Sequence, residues 1–250
     1  MMSTKIIFLW AIAVVLVVAI AILISLSFFM HKPAEPEECK NKIPMQKTEV
    51  GGRVKLPEPC STSNTSVETA LSERRSIRDY SGENLTLEEV SQLLWAAQGI
   101  TAPWGGRTAP SAGALYPLEL YIVVGDVEGI DKGVYKYKPE EHELKKVKEG
   151  DIRAELADAA GGPEYVRDAA IDIVFTAVYE RTTGKYGGRG IRYVHIEVGH
   201  AAQNVYLQAV SLDLGTVVIG AFIDDQVKEL VNAGEQENPL YIMPVGRKRK

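Results

Sequence analysis

IRYVHIEVGHAAQNVYLQAVSLDL, residues 191–214, is long, contains no proline and is apolar on more than one face. This pattern is typical of a helix that other elements cover nearly all round, and it predicts the central helix of the fold. Gly199 and Ala201 are small, so a neighbouring element can pack closely against the middle of this helix. We therefore expect the other elements of the domain to surround residues 191–214.

The elements on either side of this helix predict an α+β fold. Thr86 and Glu89 form a capping box at the start of an amphipathic helix, which Gly99 ends. Strand-forming residues recur in five further stretches, of which the second reads as a hairpin: 118–125, 133–147, 170–179, 215–222 and 239–246. Helices and strands do not alternate regularly, as they do in a parallel doubly wound sheet, so we expect a mixed sheet flanked by helices.

The N-terminal part of the chain predicts a membrane anchor followed by a tether. Residues 6–30 contain no charged side chain, and as a helix they would span about 37 Å, which is enough to cross a bilayer. This run is longer than the apolar core of a cleaved signal peptide, so we interpret residues 1–32 as a single-pass transmembrane anchor. Residues 33–66 are rich in proline and polar side chains and predict a flexible linker, which leaves 67–250 as the folded domain.

The side of the membrane on which this domain lies stays open. Lysines are more numerous after the apolar run than before it, which favours a cytoplasmic domain by the positive-inside rule. The only two cysteines of the chain, Cys39 and Cys60, both lie in the linker. They are either a disulfide formed in an oxidising exterior or two unrelated thiols.

The charge of the chain excludes one broad class of function but leaves room for a local basic site. The net charge of −5 argues against a general nucleic-acid binder, whose domain would be basic overall. Three arginines nevertheless lie together in RRSIR, residues 74–78. Their guanidinium groups, with the hydroxyl of Ser76, could bind a phosphate. The alternative is a solvated basic turn paired with the neighbouring acids Glu73 and Asp79.

Three common motifs are not supported. The stretch TTGKY, residues 182–186, lacks the first glycine of a phosphate-binding loop and the Ser or Thr that follows its lysine. His195 and His200 are five residues apart, which places them on different sides of a helix rather than on one metal-binding face. Ser111 lies in APSAG, without the leading glycine of a nucleophile elbow. We therefore expect neither a metal site nor a serine nucleophile, and the small-residue loop 105–117 remains as a candidate ligand-binding segment.

Several ordered segments, taken together, are more specific than any one of them. They are RRSIR (74–78), PSAGALYP (110–117), KYGGRGIRY (185–193), QNVYLQA (203–209), IGAFIDD (219–225) and PVGR (244–247). In this order they resemble the nitroreductase family, in its SagB-like branch of thiazole/oxazole dehydrogenases, over residues 68–247. The resemblance implies an intimate homodimer with FMN at the interface between its subunits. It also implies an oxidoreductase that passes hydride through flavin N5 to or from a flat small molecule or an azoline-type substrate.

The resemblance further implies a set of cofactor-binding residues: Arg74, Arg75, Ser76, Arg78, Pro110, Ser111, Ala112, Gly113, Gly220, Ala221 and Arg247. The first three would hold the FMN phosphate and ribityl chain, and Arg78 would lie near the pyrimidine edge of the ring. The loop 110–113 would pack on the ring, from the partner subunit. A backbone amide of the pair Gly220 and Ala221 would face flavin N5, and Arg247 would reach the phosphate.

Lys185, Tyr186 and Gly220 are the implied catalytic residues. Lys185 and Tyr186 match a pair that is associated with proton removal in azoline dehydrogenases, although the pair could instead shape the pocket. Two alternatives remain for the function: a reductase of nitroaromatics or quinones that draws electrons from NAD(P)H or a quinone, and a flavin-binding module without turnover. The sequence does not identify the substrate or the electron donor.

Overall fold

An antiparallel sheet of eight strands, in the order β1-β2-β5-β4-β3-β6-β8-β7, forms the centre of the computed structural model, which describes residues 49–249. Its strands are β1 (Glu49–Val50), β2 (Arg53–Lys55), β3 (Leu118–Val124), β4 (Gly133–Lys138), β5 (Glu143–Glu149), β6 (Ile171–Val178), β7 (Leu214–Thr216) and β8 (Glu237–Arg247). Each pair of neighbouring strands is antiparallel. The α+β class is confirmed. The prediction of a mixed sheet is wrong, because neighbouring strands run in opposite directions throughout the sheet.

The helices lie on both faces of this sheet. They are α1 (Val67–Glu73), α2 (Leu87–Gln98), α3 (Arg153–Ala159), α4 (Glu164–Arg167), α5 (Tyr179–Tyr186), α6 (Arg189–Ser211) and α7 (Asp224–Leu230), with one 3-10 turn at Ala112–Ala114. The side chains of β3 alternate between two hydrophobic clusters, so that Leu120 packs with α2 and α6 while Val123 packs with α3 and α7. The sheet is therefore buried between two helical layers.

Helix α6 extends over 23 residues and is the central helix that the sequence predicts. Its buried face consists of residues at helical spacing: Val194, Glu197, Val198, Ala201, Ala202, Val205 and Ala209. The opposite face is exposed in the first half of the helix, where Ile196 is 48% accessible. The expectation of a helix covered nearly all round is therefore wrong for the first half of α6 in the single chain, where Arg192, Ile196 and His200 are exposed.

The sheet begins earlier than the sequence interpretation places the folded domain. Strands β1 and β2 lie within residues 33–66, which that interpretation assigned to a linker. Val54 and Leu56 are fully buried, and β2 pairs with β5 along its whole length. Strand β2 has only three residues, of which the first and the last are charged, so it is too short to give a recognisable alternating pattern.

The remaining N-terminal predictions fall outside the described residues. The transmembrane anchor at residues 1–32 and the possible pairing of Cys39 with Cys60 both depend on residues before Glu49. Among the helices of residues 49–249, none has the combination of length and hydropathy that a bilayer span requires.

Candidate active site

Tyr206 of α6 gathers residues from two distant segments of the chain. The guanidinium carbon of Arg74 lies 5.1 Å from the centre of its ring, and the Ser76 hydroxyl lies 3.3 Å from its hydroxyl. The Tyr206 hydroxyl also accepts a hydrogen bond of 2.8 Å from the backbone N–H of Val218. The side chain of Tyr206 thus contacts both the basic segment 74–78 and the segment that leads to Gly220.

The basic segment is fixed to the edge of the sheet by its backbone. Ile77 donates its N–H to the carbonyl of Thr216 at 2.9 Å, and Ser81 donates to the carbonyl of Arg247 at 2.9 Å. Gly246 is required for this close approach, because a Cβ there would lie 2.7 Å from the ring of Tyr80. The arginines therefore extend from a rigid base rather than from a mobile turn.

The guanidinium groups of this segment have different surroundings. Arg75 is exposed and donates to the carbonyls of Ser72 and Arg74, at 2.9 and 2.7 Å. Arg78 is also exposed and lies over the ring of Tyr165, 5.8 Å from its centre. These contacts orient the guanidinium groups and leave most of their N–H donors accessible to an anion.

Arg247 does not join this group through its side chain. Its Nη2 donates to Glu89 Oε2 at 3.0 Å, and its Nε donates to the carbonyl of Asn84 at 3.2 Å. The same Glu89 oxygen accepts the Thr86 N–H in the capping box of α2. In this structure the side chain of Arg247 therefore binds the start of α2.

Gly220 and Ala221 form an exposed backbone segment beside the sheet. Ile219 exchanges backbone hydrogen bonds of 2.8 and 3.0 Å with Ile242, which fixes the chain just before Gly220. Within residues 49–249, the amides of Gly220 and Ala221 donate to no other group. These two amides are therefore available to a ligand.

The loop that contains Pro110, Ser111 and Gly113 lies against α5 and α6. Gly113 has a φ of +67°, and a Cβ at this position would lie 2.7 Å from Tyr186 Oη and 3.0 Å from Lys185 Nζ. The Lys185 ammonium is 5.5 Å from the centre of the Tyr186 ring. The structure thus brings the two predicted proton-transfer residues together on this loop, within one subunit.

Glu197 lies beneath the same loop and was not identified from the sequence. Ser111 Oγ is hydrogen-bonded to Glu197 Oε2 at 2.5 Å and accepts the N–H of Tyr116 at 2.9 Å. Burial raises the pKa of Glu197 to about 7, while the hydrogen bond from Ser111 and the charge of Arg107 act in the opposite direction. The available sequence signal was that Glu197 is the only acid of helix α6 and lies at the spacing of its buried apolar residues.

The two cavities described in residues 49–249, of about 250 and 360 Å³, lie away from Arg74 and Gly220 and are lined by neither residue. Residues 49–249 also contain no group of three His, Cys, Asp or Glu side chains placed to hold a metal ion. Most of the candidate cofactor residues are exposed on the surface of the single chain. They form two groups, one around Tyr206 and one around Gly113, Lys185 and Tyr186.

The chain is similar in sequence to proteins of one family. The model of the nitroreductase family matches residues 71–247. The MJ1384 protein of Methanocaldococcus jannaschii, assigned to the nitroreductases, is 51% identical over 182 residues, which cover 73% of this chain and 91% of that protein. The microcin B17-processing protein McbC of Escherichia coli is 27% identical over 169 residues, covering 65% of this chain and 62% of McbC.

Solved structures show the same fold. A nitroreductase-type structure from Ralstonia eutropha JMP134 superposes with a TM-score of 0.71 at 30% identity, over 80% of this chain and 90% of that one. A chain of the Escherichia coli microcin synthetase McbBCD complex superposes with a TM-score of 0.62 at 24% identity, over 76% of each chain.

Proposed function

Because this chain belongs to the nitroreductase family, we propose that it is an FMN-dependent oxidoreductase that transfers hydride through flavin N5 to or from a flat small molecule or an azoline-type substrate. The observation that carries this proposal is the position of Tyr206. It joins Arg74, Ser76 and the segment before Gly220, which are distant in sequence and which the family resemblance assigns to one cofactor.

The phosphate end of the cofactor would bind to the basic segment. Arg74 and Arg75 supply charge-assisted donors from a backbone that is already fixed, so little ordering is required on binding. Arg78 would lie near the pyrimidine edge of the ring. Arg247 could contribute only by exchanging its ion pair with Glu89 for one with the phosphate. We therefore assign phosphate binding chiefly to Arg74 and Arg75, with the hydroxyl of Ser76.

The reactive end would lie against Gly220 and Ala221. Bound FMN would supply the chemistry of accepting and returning a hydride, which no side chain provides. The free amides of Gly220 and Ala221 would donate hydrogen bonds to the ring, and the loop 110–113 would cover it. Oxidation of an azoline also releases one proton, and Lys185 with Tyr186, both beside Gly113, would receive it.

A second copy of the chain would complete this site. The cofactor residues lie on an open surface, and large apolar side chains are exposed nearby on two helices. Val67 and Leu71 of α1 are 66% and 55% accessible, and Ile196 of α6 is 48% accessible. Such apolar exposure is typical of an interface, and it supports a homodimer.

The second candidate function is a reductase that draws electrons from NAD(P)H or a quinone and passes them to a nitroaromatic or a quinone. The 51% identity to a protein assigned to the nitroreductases favours this candidate. The open surface beside Gly220 would accept flat compounds without strong selection.

The test begins with the full-length chain, purified in detergent because of the apolar residues 6–30. We expect a yellow protein that releases FMN on denaturation, and anaerobic stopped-flow absorbance should show which of NADH, NADPH, a reduced quinone or an azoline peptide bleaches it. Bleaching by the azoline peptide supports the dehydrogenase, and bleaching by the other donors supports the reductase. Bound FMN that no donor reduces would indicate a module without turnover. A colourless protein that takes up no added FMN would refute the proposal.

A further inference from the structure

We propose that Glu197 is a positioning residue whose proton determines whether the Ser111 hydroxyl donates or accepts a hydrogen bond toward a ligand on the loop 110–113. The proposal rests on the proposed FMN site, since it assigns that ligand as FMN. It concerns a carboxyl group that the hydride-transfer chemistry itself does not use.

The geometry around Ser111 Oγ leaves one direction free. A hydroxyl oxygen has one donor and two acceptor positions. The N–H of Tyr116 occupies one acceptor position, at 2.9 Å, and Glu197 Oε2 lies 2.5 Å away in a second direction. Ser111 is only half buried, and its Oγ is bonded to Glu197 and Tyr116 among the described residues, which leaves the third position for a ligand on the loop.

The charge of Glu197 decides what that third position presents. When Glu197 is ionised, Ser111 must donate its hydrogen to the carboxylate, and only a lone pair remains for the ligand. When Glu197 is protonated on Oε2, it donates to Ser111, whose own O–H is then free to donate to the ligand. One proton on Glu197 thus changes the Ser111 hydroxyl from an acceptor to a donor toward the ligand.

The surroundings of Glu197 place this change near neutral pH. The side chain is only 2% exposed, and its Oε1 has no hydrogen-bond partner among the described residues, so the ionised form is penalised by burial. The charge of Arg107 lowers the pKa of Glu197, in opposition to burial. The Arg107 guanidinium also donates to Gln98 and Glu140, at 2.9 and 3.2 Å.

The other titratable groups of the elements packed around this position belong to α5 and α6. They are Lys185 and Tyr186, which lie beside Gly113, and Tyr193 and His200, which stand four residues before and three residues after Glu197 on its own helix.

The consequence is a link between FMN binding and proton uptake. The flavin ring presents several acceptor atoms, its carbonyl oxygens and ring nitrogens, and a single N–H donor. An acceptor on the ring binds the protonated form of Glu197 better, because only that form frees the Ser111 O–H. Above the pKa of Glu197, of about 7, FMN affinity should then fall by up to about tenfold per pH unit.

The test compares the FMN dissociation constant of the full-length chain, from about pH 6 to about pH 8.5, with those of three variants. Glu197→Gln keeps a permanent N–H donor to Ser111, so its affinity should stay at the low-pH value of the wild type. Ser111→Ala removes the relay, so its affinity should stay at the weaker, high-pH value. Asp158→Asn, at an exposed acid paired with Arg167, is the control for the titration of the FMN phosphate and should follow the wild type.

Two results separate this proposal from the proposed function. If wild type and Glu197→Gln bind FMN with the same pH profile, the role of Glu197 is wrong and the FMN site stands. If the wild type binds no FMN at any pH, the proposed function fails. In that case the infrared carbonyl band of protonated Glu197, identified by its loss in Glu197→Gln, tests the buried pair directly. A band that titrates at the ordinary glutamate pKa would overturn the inference.

Discussion

Replacement of Tyr206 by phenylalanine separates two contributions of this residue. The ring under Arg74, 5.1 Å from the guanidinium carbon, is kept, while the hydroxyl that accepts the Val218 N–H at 2.8 Å is lost. A lost hydrogen bond to a half-buried amide costs about 1 kcal/mol. The contact to Ser76, at 3.3 Å on an exposed side chain, adds little, because water can replace it. If segments 74–78 and 218–221 both hold FMN, its affinity should fall about fivefold in Tyr206→Phe.

Tyr206→Ala removes the ring as well, and with it a cation–π contact of about 0.5–1 kcal/mol together with the packing of a half-buried side chain. The loss of FMN affinity should then reach about thirtyfold. The assay is the quenching of FMN fluorescence on binding, measured with the full-length chain.

Tyr137→Phe is the matched control for these variants. It also loses a tyrosine hydrogen bond, of 2.9 Å to His142, at a buried position outside the candidate site. Its stability should fall by a similar amount while its FMN affinity stays unchanged. If Tyr206→Phe and Tyr206→Ala both bind FMN as the wild type does, Tyr206 does not organise the cofactor site, and the principal support for the proposed function is lost.

Three further predictions concern charge, pH and packing. Arg74→Ala should weaken FMN binding by about 1.5–3 kcal/mol, as expected for a charged hydrogen bond, and an unchanged dissociation constant would place this arginine outside the phosphate site. Burial raises the pKa of Asp172, so the folded chain keeps a proton that the unfolded chain releases. The free energy of unfolding of the wild type should therefore fall relative to that of Asp172→Asn as the pH rises from about 4 to about 7. Urea denaturation measures this difference, and parallel pH profiles for the two proteins would contradict the prediction. Gly246→Ala should cost about 1–3 kcal/mol, because its Cβ would lie 2.7 Å from the ring of Tyr80. Gly199→Ala, where a Cβ meets no atom within 4 Å, should not destabilise the protein, and equal losses in the two variants would exclude the proposed clash.

The sequence predicted those elements whose cause is local. The capping box at Thr86 and Glu89 forms both of its hydrogen bonds, at 3.2 and 2.8 Å, because it depends on residues only three positions apart. The hairpin of β4 and β5 and the long helix α6 are likewise visible in the spacing of their own side chains. For such elements the sequence pattern and the physical cause coincide.

The missed features depend on partners far along the chain. Strand β2 is ordered by pairing with β5, so Arg53–Lys55 alone carries little information. The cluster around Arg74 and Ser76 was proposed as an anion site from its own residues, but the residue that joins the two, Tyr206, lies 130 positions after Ser76. The contact of the Arg247 side chain with Glu89 likewise joins residues 158 positions apart, and its motif does not reveal it. Side-chain direction is decided by tertiary neighbours, which spacing does not reveal.

The shared oxygen of Glu89 has a consequence for the far end of the polypeptide. One carboxylate atom accepts both the N–H of the cap residue Thr86 and the guanidinium of Arg247, so a residue late in the chain holds the first turn of α2 in place. Trimming the chain just before Arg247 should therefore speed amide hydrogen exchange in the first turn of α2, more than 150 positions away in sequence, while the last turn of the same helix keeps its protection.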